Sequence, residues 1–360
     1  MANLVWQELP LFYNDLLLRA CSASFSLSLI ELMPSHSVGV NMAGLLVKGQ
    51  WKTKNEFADE KSGEFEREDS IFRDWITPDG ADGPNGKKGF KAESARYHLY
   101  VSYACPWAHR TLIFRHLKDL EDHVSVSVVH PHMLDHGWSF DSDFEGATGD
   151  QLYGLDYMHQ LYTKAKSDYT GKVTVPVLWD TKTETIVNNE SAEIIRIFNS
   201  AFNDITGNKD DYYPEAHRER IDEINKRVYD TVNNGVYKAG FASAQDVYER
   251  VVRDLFDSIE WLEGILADGG PAYLCGDDLT EADIRLLTTL LRFDAVYHTH
   301  FKCNEKQIKD CKFLQAYMER LYEMEAVKPT VYMDHIKSHY YFSHVHINPH
   351  RIIPTGPDQF

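Results

Sequence analysis

Two kinds of hydrophobic pattern divide the chain, and the change from one to the other falls near residue 200. Before it, short runs rich in β-branched and aromatic residues stand between loops. Residues 97–103, 124–129, 173–180 and 184–187 each read as a strand on this basis. Between the first two, Ala108, Leu112, Ile113, Phe114 and Leu117 recur at helical spacing. Residues 153–166 read as a short helix, and Asn188, Asn189, Glu190 and Ser191 open another whose apolar face is Ile194, Ile195, Ile197 and Phe198. Beyond Ser200 apolar residues are periodic over 214–237, 245–267, 280–297 and 305–325, so this half reads as helical throughout. Thr280 and Asp283 have N-cap to N3 spacing, and Leu279 with Ile284 can close a hydrophobic staple there. Pro329 ends the last helix, and the His-, Tyr- and Pro-rich tail over 332–360 shows no helical period.

The βαβ…ββα order in the first half is the thioredoxin-like arrangement. The expected fold is therefore an α/β thioredoxin-like N-terminal domain followed by an all-α domain. The expected divisions are an N-terminal extension at 1–50, the α/β domain with a leading loop at 51–200, the helical domain at 201–330 and a tail at 331–360. The stretch 77–89, TPDGADGPNGKKG, is turn chemistry and reads as part of a long surface loop. Pro176 after Val175 fits the place where thioredoxin-like folds carry a cis-proline, although an edge strand accounts for the dipeptide equally well.

Composition narrows the class. A net charge of −18 disfavours nucleic acid or an anionic membrane as partner. Apolar runs are too short and too often broken to span a bilayer. Five cysteines, an odd number at scattered positions, form no disulfide framework and fit a reducing compartment. Arg19 is the only basic residue before Lys48, so the first 41 residues lack the charge of a secretory or mitochondrial signal. Glu8, Asp15 and Glu31 count against a plastid transit peptide. The expected compartment is the cytoplasm, with a plastid or mitochondrion as the weaker reading. The extension at 1–50 reads as disordered or targeting, and Met42 is an alternative start that would leave 1–41 as an unstructured or spurious extension.

The chemistry centres on Cys105. It follows the first strand and precedes Pro106, a residue at home in a first helical turn, so its sulfur is expected at a helix N-terminus. Unpaired N–H groups and the helix dipole there favour the thiolate, the nucleophilic form. The competing reading is a small buried residue closing a strand. Cys-Pro-Trp-Ala lacks the second sulfur of a Cys-x-x-Cys motif, so a mixed disulfide on Cys105 needs an external thiol, and glutathione is the abundant one. His109, four residues on, reads as a packing residue rather than a base. Glutathione carries two carboxylates and an ammonium. Glu190 and Ser191 at a strand-to-helix junction can receive these, or can be an ordinary N-cap pair. The backbone of Val175 can pair with the tripeptide as an added strand, Lys172 can supply positive charge and Trp138 a flat wall. His298 with His300, His344 with His346, and Cys303 with Cys311 lack the paired spacing of a structural zinc site, so no metal is expected.

Longer strings carry a more specific resemblance. YACPWAHR, VTVPVLWD, IVNNESAEIIRIFN, NNGVYKAGFA and LLRFDAVYHTHFKCN resemble the glutathionyl-hydroquinone reductases, the Xi-class glutathione transferases, over residues 51–354. The resemblance implies a glutathione-transferase C-terminal domain, a homodimer, and a tail packed near the active site. It implies that Cys105 attacks the sulfur of an aromatic glutathionyl thioether, releases the hydroquinone, and is freed by a second glutathione. The implied glutathione site comprises Trp138, Lys172, Val173, Thr174, Val175, Pro176, Glu190 and Ser191. Family members often carry Arg where Lys172 stands, so the charge is kept and bidentate geometry lost. Tyr237 is implied as proton donor or acceptor to the ring, and Tyr297 and Tyr340 as hydroxyls that favour the thiolate. An Omega-type thioltransferase or dehydroascorbate reductase, and a non-catalytic binding module, are the alternatives.

Overall fold

The computed structural model describes residues 44–53, 65 and 69–357; the expectations for 1–41 and Met42 lie outside the described residues. β1 (Leu45–Val47) and β2 (Gln50–Lys52) form an antiparallel hairpin, and β3 (Trp75–Thr77) and β4 (Gly89–Lys91) a short parallel pair. The first two lie at the expected edge of the extension, and the second pair brackets the expected surface loop. Three-residue strands are too short to show the alternation by which a strand is recognised. Residues 78–88 do form the turn-rich connection, with Thr77 Oγ1 donating to the Ala81 carbonyl at 2.9 Å.

The central sheet begins with β5 (Tyr97–Val101), buried at every position. The chain passes through α1 (Pro106–Leu117) to β6 (Val124–Val128), parallel to β5. A hairpin of β7 (Met133–Leu134) and β8 (Gly137–Trp138) follows, then α2 (Met158–Ala165). β9 (Gly171–Lys172) adds to the free edge of β1, and β10 (Val177–Asp180) and β11 (Thr185–Asn188) complete the sheet in the order β11-β10-β5-β6. β10 runs antiparallel to both neighbours. The single strand expected over 173–180 is thus interrupted: residues 173–176 belong to no strand, and the Val175–Pro176 bond is cis. α3 (Ser191–Ser200) buries the expected isoleucines and Phe198, and α1 packs against it.

The helical half comprises α4 (Asn203–Thr206), α5 (Arg218–Arg227), α6 (Gly235–Gly240), α7 (Gln245–Ile265), α8 (Glu281–Arg292), α9 (His298–His300) and α10 (Lys312–Tyr322). Two of the long expected helices are broken by π-helical turns, Val228–Asn233 before α6 and Phe293–Tyr297 after α8. The capping box at Thr280 and Asp283 is present. The Asp283 carboxylate also accepts from Leu274 N at 2.9 Å and Tyr317 Oη at 2.7 Å, joining α8 to α10.

The tail corrects an expectation. Met333–Ser343 is a helix, α11, although its sequence carries no amphipathic stripe. Seven consecutive residues, His335 to Tyr341, are buried, and a helix enclosed on all sides has no polar face to generate a period.

Candidate active site

Cys105 is the N-cap residue of α1, with extended backbone and Pro106 in the first turn. Its backbone N–H donates to Ser102 O at 3.2 Å, and its carbonyl accepts from His109 N at 2.9 Å. The thiol is half-buried and points at the Val175 carbonyl, 3.6 Å away, so cysteine and cis-proline loop face each other. Tyr162 fixes that loop from below. Its hydroxyl donates to Thr174 O at 2.9 Å and accepts from Thr174 N at 3.2 Å and Asn189 Nδ2 at 3.1 Å.

Arg292, the last residue of α8, holds the other side of the cysteine loop. Its guanidinium donates to the carbonyls of Tyr103 (2.9 Å), Ala104 (2.8 Å) and Thr288 (2.8 Å), and to His109 Nδ1 (3.0 Å). Arginine can only donate, so His109 carries its proton on Nε2 and gives it to Thr330 Oγ1 at 2.8 Å. Burial holds the His109 imidazole well below its usual range, and Arg292 reinforces this. A neutral, doubly bonded, fully buried histidine is a packing residue. Arg110 lies buried against the Trp107 ring at 4.7 Å. Burial, then Arg285, pushes its guanidinium down to about 9, while Glu190, Glu281 and the Cys105 sulfur draw it up. The thiol therefore lies within electrostatic reach of a cation as well as at a helix start.

One cleft, about 200 Å³ in volume, collects most of the expected site: Cys105, Trp138, Lys172, Val173, Thr174, Val175, Tyr237 and Tyr340 all line it. Trp138 closes the β7–β8 hairpin and stacks on His339 with ring centroids 4.8 Å apart. Tyr237, on α6, and Tyr340, on α11, bring their hydroxyls to 2.6 Å. Tyr297 does not line the cleft. It ends the second π-helical turn, behind Tyr340, with its hydroxyl 3.0 Å from that of Tyr340. Burial raises both Tyr297 and Tyr340 well above the usual phenol range, so each is a neutral hydroxyl.

Glu190 and Ser191 also lie outside this lining. Glu190 is the N-cap of α3, as the alternative reading has it: one carboxylate oxygen accepts from Ala192 N at 3.0 Å and the other from Ser70 Oγ at 3.1 Å. It borders an adjoining cleft that shares Asp69 with the first. Ser191 is buried as the first residue of α3. Pro176 supplies the cis bond rather than lining.

Arg292, Tyr162 and His339 are among the residues at the site that the sequence did not reveal. Arg292 and Tyr162 lie in helical periods where nothing separates a clamp from a core residue, and His339 sits in a tail read as non-helical. No group of three metal-ligating side chains occurs among the described residues, and no described helix is long and apolar enough to cross a membrane.

Comparison with known proteins bears on the chain as a whole. The glutathione S-transferase N-terminal domain family matches residues 104–201, and its C-terminal domain family residues 245–320. The chain is 55% identical over 318 residues to the glutathionyl-hydroquinone reductase YqjG of Escherichia coli, covering 88% of this chain and 96% of that protein. It is 48% identical to the glutathionyl-hydroquinone reductase PcpF of Sphingobium chlorophenolicum, with 88% and 97% covered. The glutathione-bound structure of the Escherichia coli protein superposes with a TM-score of 0.81 at 53% identity, over 88% of this chain and 96% of that one.

Proposed function

The chain belongs to the glutathionyl-hydroquinone reductases, the Xi class of glutathione transferases, and on that premise we propose how its own residues carry the reaction. Cys105 is the nucleophile. Its thiolate attacks the sulfur of the glutathionyl thioether, the S–S bond forms, and the carbon–sulfur bond breaks with its electron pair passing to the ring. Tyr237 delivers the proton that the ring carbon then takes, giving the hydroquinone. A second glutathione thiolate attacks the mixed disulfide, Cys105 leaves as thiolate, and oxidised glutathione departs. The net change is thioether plus glutathione to hydroquinone plus oxidised glutathione.

The supporting observation is that the thiol and the Tyr237–Tyr340 hydroxyl pair line one cleft, with Tyr297 behind as the third hydroxyl. The nucleophile and the proton source thus reach one bound ring from two halves of the chain. Lys172, the run from Val173 to Pro176, and Trp138 form the glutathione-binding wall. Glu190 and Ser191, outside that lining, stand at the start of α3 beside the adjoining cleft, where backbone N–H groups favour a carboxylate and one end of the tripeptide can reach them. The substrates are aromatic glutathionyl thioethers, the assembly a homodimer, and the compartment the cytoplasm, whose reducing pool supplies the second thiol.

Turnover of a glutathionyl-hydroquinone, scored by hydroquinone release, tests this reading. The protein should release hydroquinone and show a glutathione adduct of about 305 Da on Cys105 by mass spectrometry; Cys105→Ser should do neither. Dehydroascorbate reduction without thioether turnover would transfer the chain to the Omega-type reading.

A further inference from the structure

His339 is a cleft residue that the reaction as written does not use. Three rings hold it in place: Trp138 stacks on it at 4.8 Å, and Tyr340 and His344 meet it edge-on at 5.1 and 5.6 Å. Its Nδ1 lies 2.8 Å from the Pro131 carbonyl. A carbonyl only accepts, so Nδ1 bears the proton. Burial pushes the imidazole down to about 4, so near neutral pH it stays uncharged and Nε2 carries a lone pair. Nε2 makes no hydrogen bond to any described residue. The neutral ring therefore offers Nε2 as an acceptor, and the Pro131 contact holds it in that tautomer.

The other polar groups of the cleft differ from it. His344 also lines the cleft, but its Nδ1 is shared with His300 Nε2 at 3.2 Å, a pair that can swap donor and acceptor. Lys172 only donates, and the Tyr237 and Tyr340 hydroxyls can donate as well as accept. Asp69 is also a pure acceptor, but it is exposed. Hydroquinone and quinone have nearly the same shape and differ in two hydrogens. The first carries two O–H donors and the second only acceptors. A tyrosine hydroxyl can satisfy either form by rotating its own hydrogen, but a fixed lone pair facing a quinone oxygen meets another lone pair.

We propose that His339 Nε2 accepts a hydrogen bond from a ring hydroxyl and so makes this cleft select the reduced, dihydroxy form of the aromatic over its quinone. The proposal rests on the hydroquinone-thioether reading of the site and adds to it the group that reads the ring's oxidation state. Its physical basis is that a site built around a substrate hydroxyl rejects an analogue lacking that hydrogen, because a desolvated acceptor is then left unpaired.

Binding tests it without turnover. Tetramethylhydroquinone and tetramethylquinone have no ring position open to thiol addition. Both are titrated anaerobically, by calorimetry, into full-length Cys105→Ser, which removes the reactive sulfur. The hydroquinone should bind roughly two- to twelvefold more tightly, the span of one net neutral hydrogen bond. In Cys105→Ser/His339→Phe, which keeps a ring against Trp138, the ratio should fall to about one while glutathione binding is retained. Cys105→Ser/His339→Gln offers an amide oxygen as acceptor and should recover part of the preference, and it decides the matter if the phenylalanine variant fails to fold. Equal binding of the two forms to Cys105→Ser, or an unchanged ratio on loss of the imidazole, overturns the proposal. Ring selection intact in a native protein that turns over no thioether would instead fell the reaction and leave His339 as a reader of hydroquinones.

Discussion

Arg292 Nε donates to the carbonyl of Ala104 at 2.8 Å, across 188 positions of sequence and one residue before the candidate nucleophile. The same guanidinium satisfies Tyr103 O, Thr288 O and His109 Nδ1, so the helical half fixes both the loop entering α1 and a side chain on α1 itself.

Arg292→Met should therefore cost about 2–4 kcal/mol, because three carbonyls and one imidazole nitrogen lose a donor away from water. It should also slow alkylation of Cys105 by iodoacetamide several-fold, since the sulfur's place depends on that loop. Denaturant unfolding and alkylation kinetics report the two effects separately. A variant within about 0.5 kcal/mol of the parent would show that the clamp is dispensable.

The tyrosine hydroxyls form a chain with Tyr340 at its centre, 2.6 Å from Tyr237 and 3.0 Å from Tyr297. Tyr237→Phe removes the proposed proton donor and should lower kcat on a glutathionyl-hydroquinone by about 10²–10⁴. Tyr340→Phe breaks both links and should rank next. Tyr297→Phe leaves the cleft-lining pair intact and should have the smallest effect. Steady-state rates for the three variants settle the order, and a Tyr297→Phe loss equal to that of Tyr237→Phe would contradict it.

Stability should fall on acidification. Burial pushes His98, His132 and His339 down to about 4 and His300 to about 3. An unfolded histidine titrates near about 6.5. Between these values the unfolded chain binds protons that the folded chain refuses. Stability is thus fully present above about pH 6.5 and is lost as pH falls toward about 4. His339 belongs to α11, His132 packs on Phe342 at 3.7 Å, and His300 meets Tyr341 at 4.7 Å, so the docking of α11 should weaken first. Urea midpoints at pH 7.5 and 5.0 should differ by more than the error of the fit, and limited proteolysis at pH 5.0 should cut first near α11. A midpoint unchanged or higher at pH 5.0 would refute the effect.

Local chemistry was readable wherever it involved neighbours in sequence. Cys105 followed by Pro106 marked a helix start and Thr280 with Asp283 marked another, because capping and proline geometry act within a few residues; Val175–Pro176 fitted the cis-proline place, but an edge strand fitted it as well. The two hydrophobic periods separated the strand-bearing half from the helical half. The longer strings named the tyrosines, although nothing in their spacing did.

Tertiary structure decided the rest. A helix buried on every side leaves no period, so α11 and its His339 were invisible until packed. The π-helical turn ending at Tyr297, and the one preceding α6 and its Tyr237, arise inside long apolar periods that read as continuous helix. The Glu190 carboxylate, free on paper to meet an ammonium, is engaged by Ala192 N and by Ser70, a partner 120 residues away. Side-chain periodicity records which face of an element is buried; it does not record what that face meets. For this chain the sequence determined the central strands and most of the amphipathic helices and placed a nucleophile at a helix start, and only the packing of α6, α8 and α11 around that helix decided what the thiol faces.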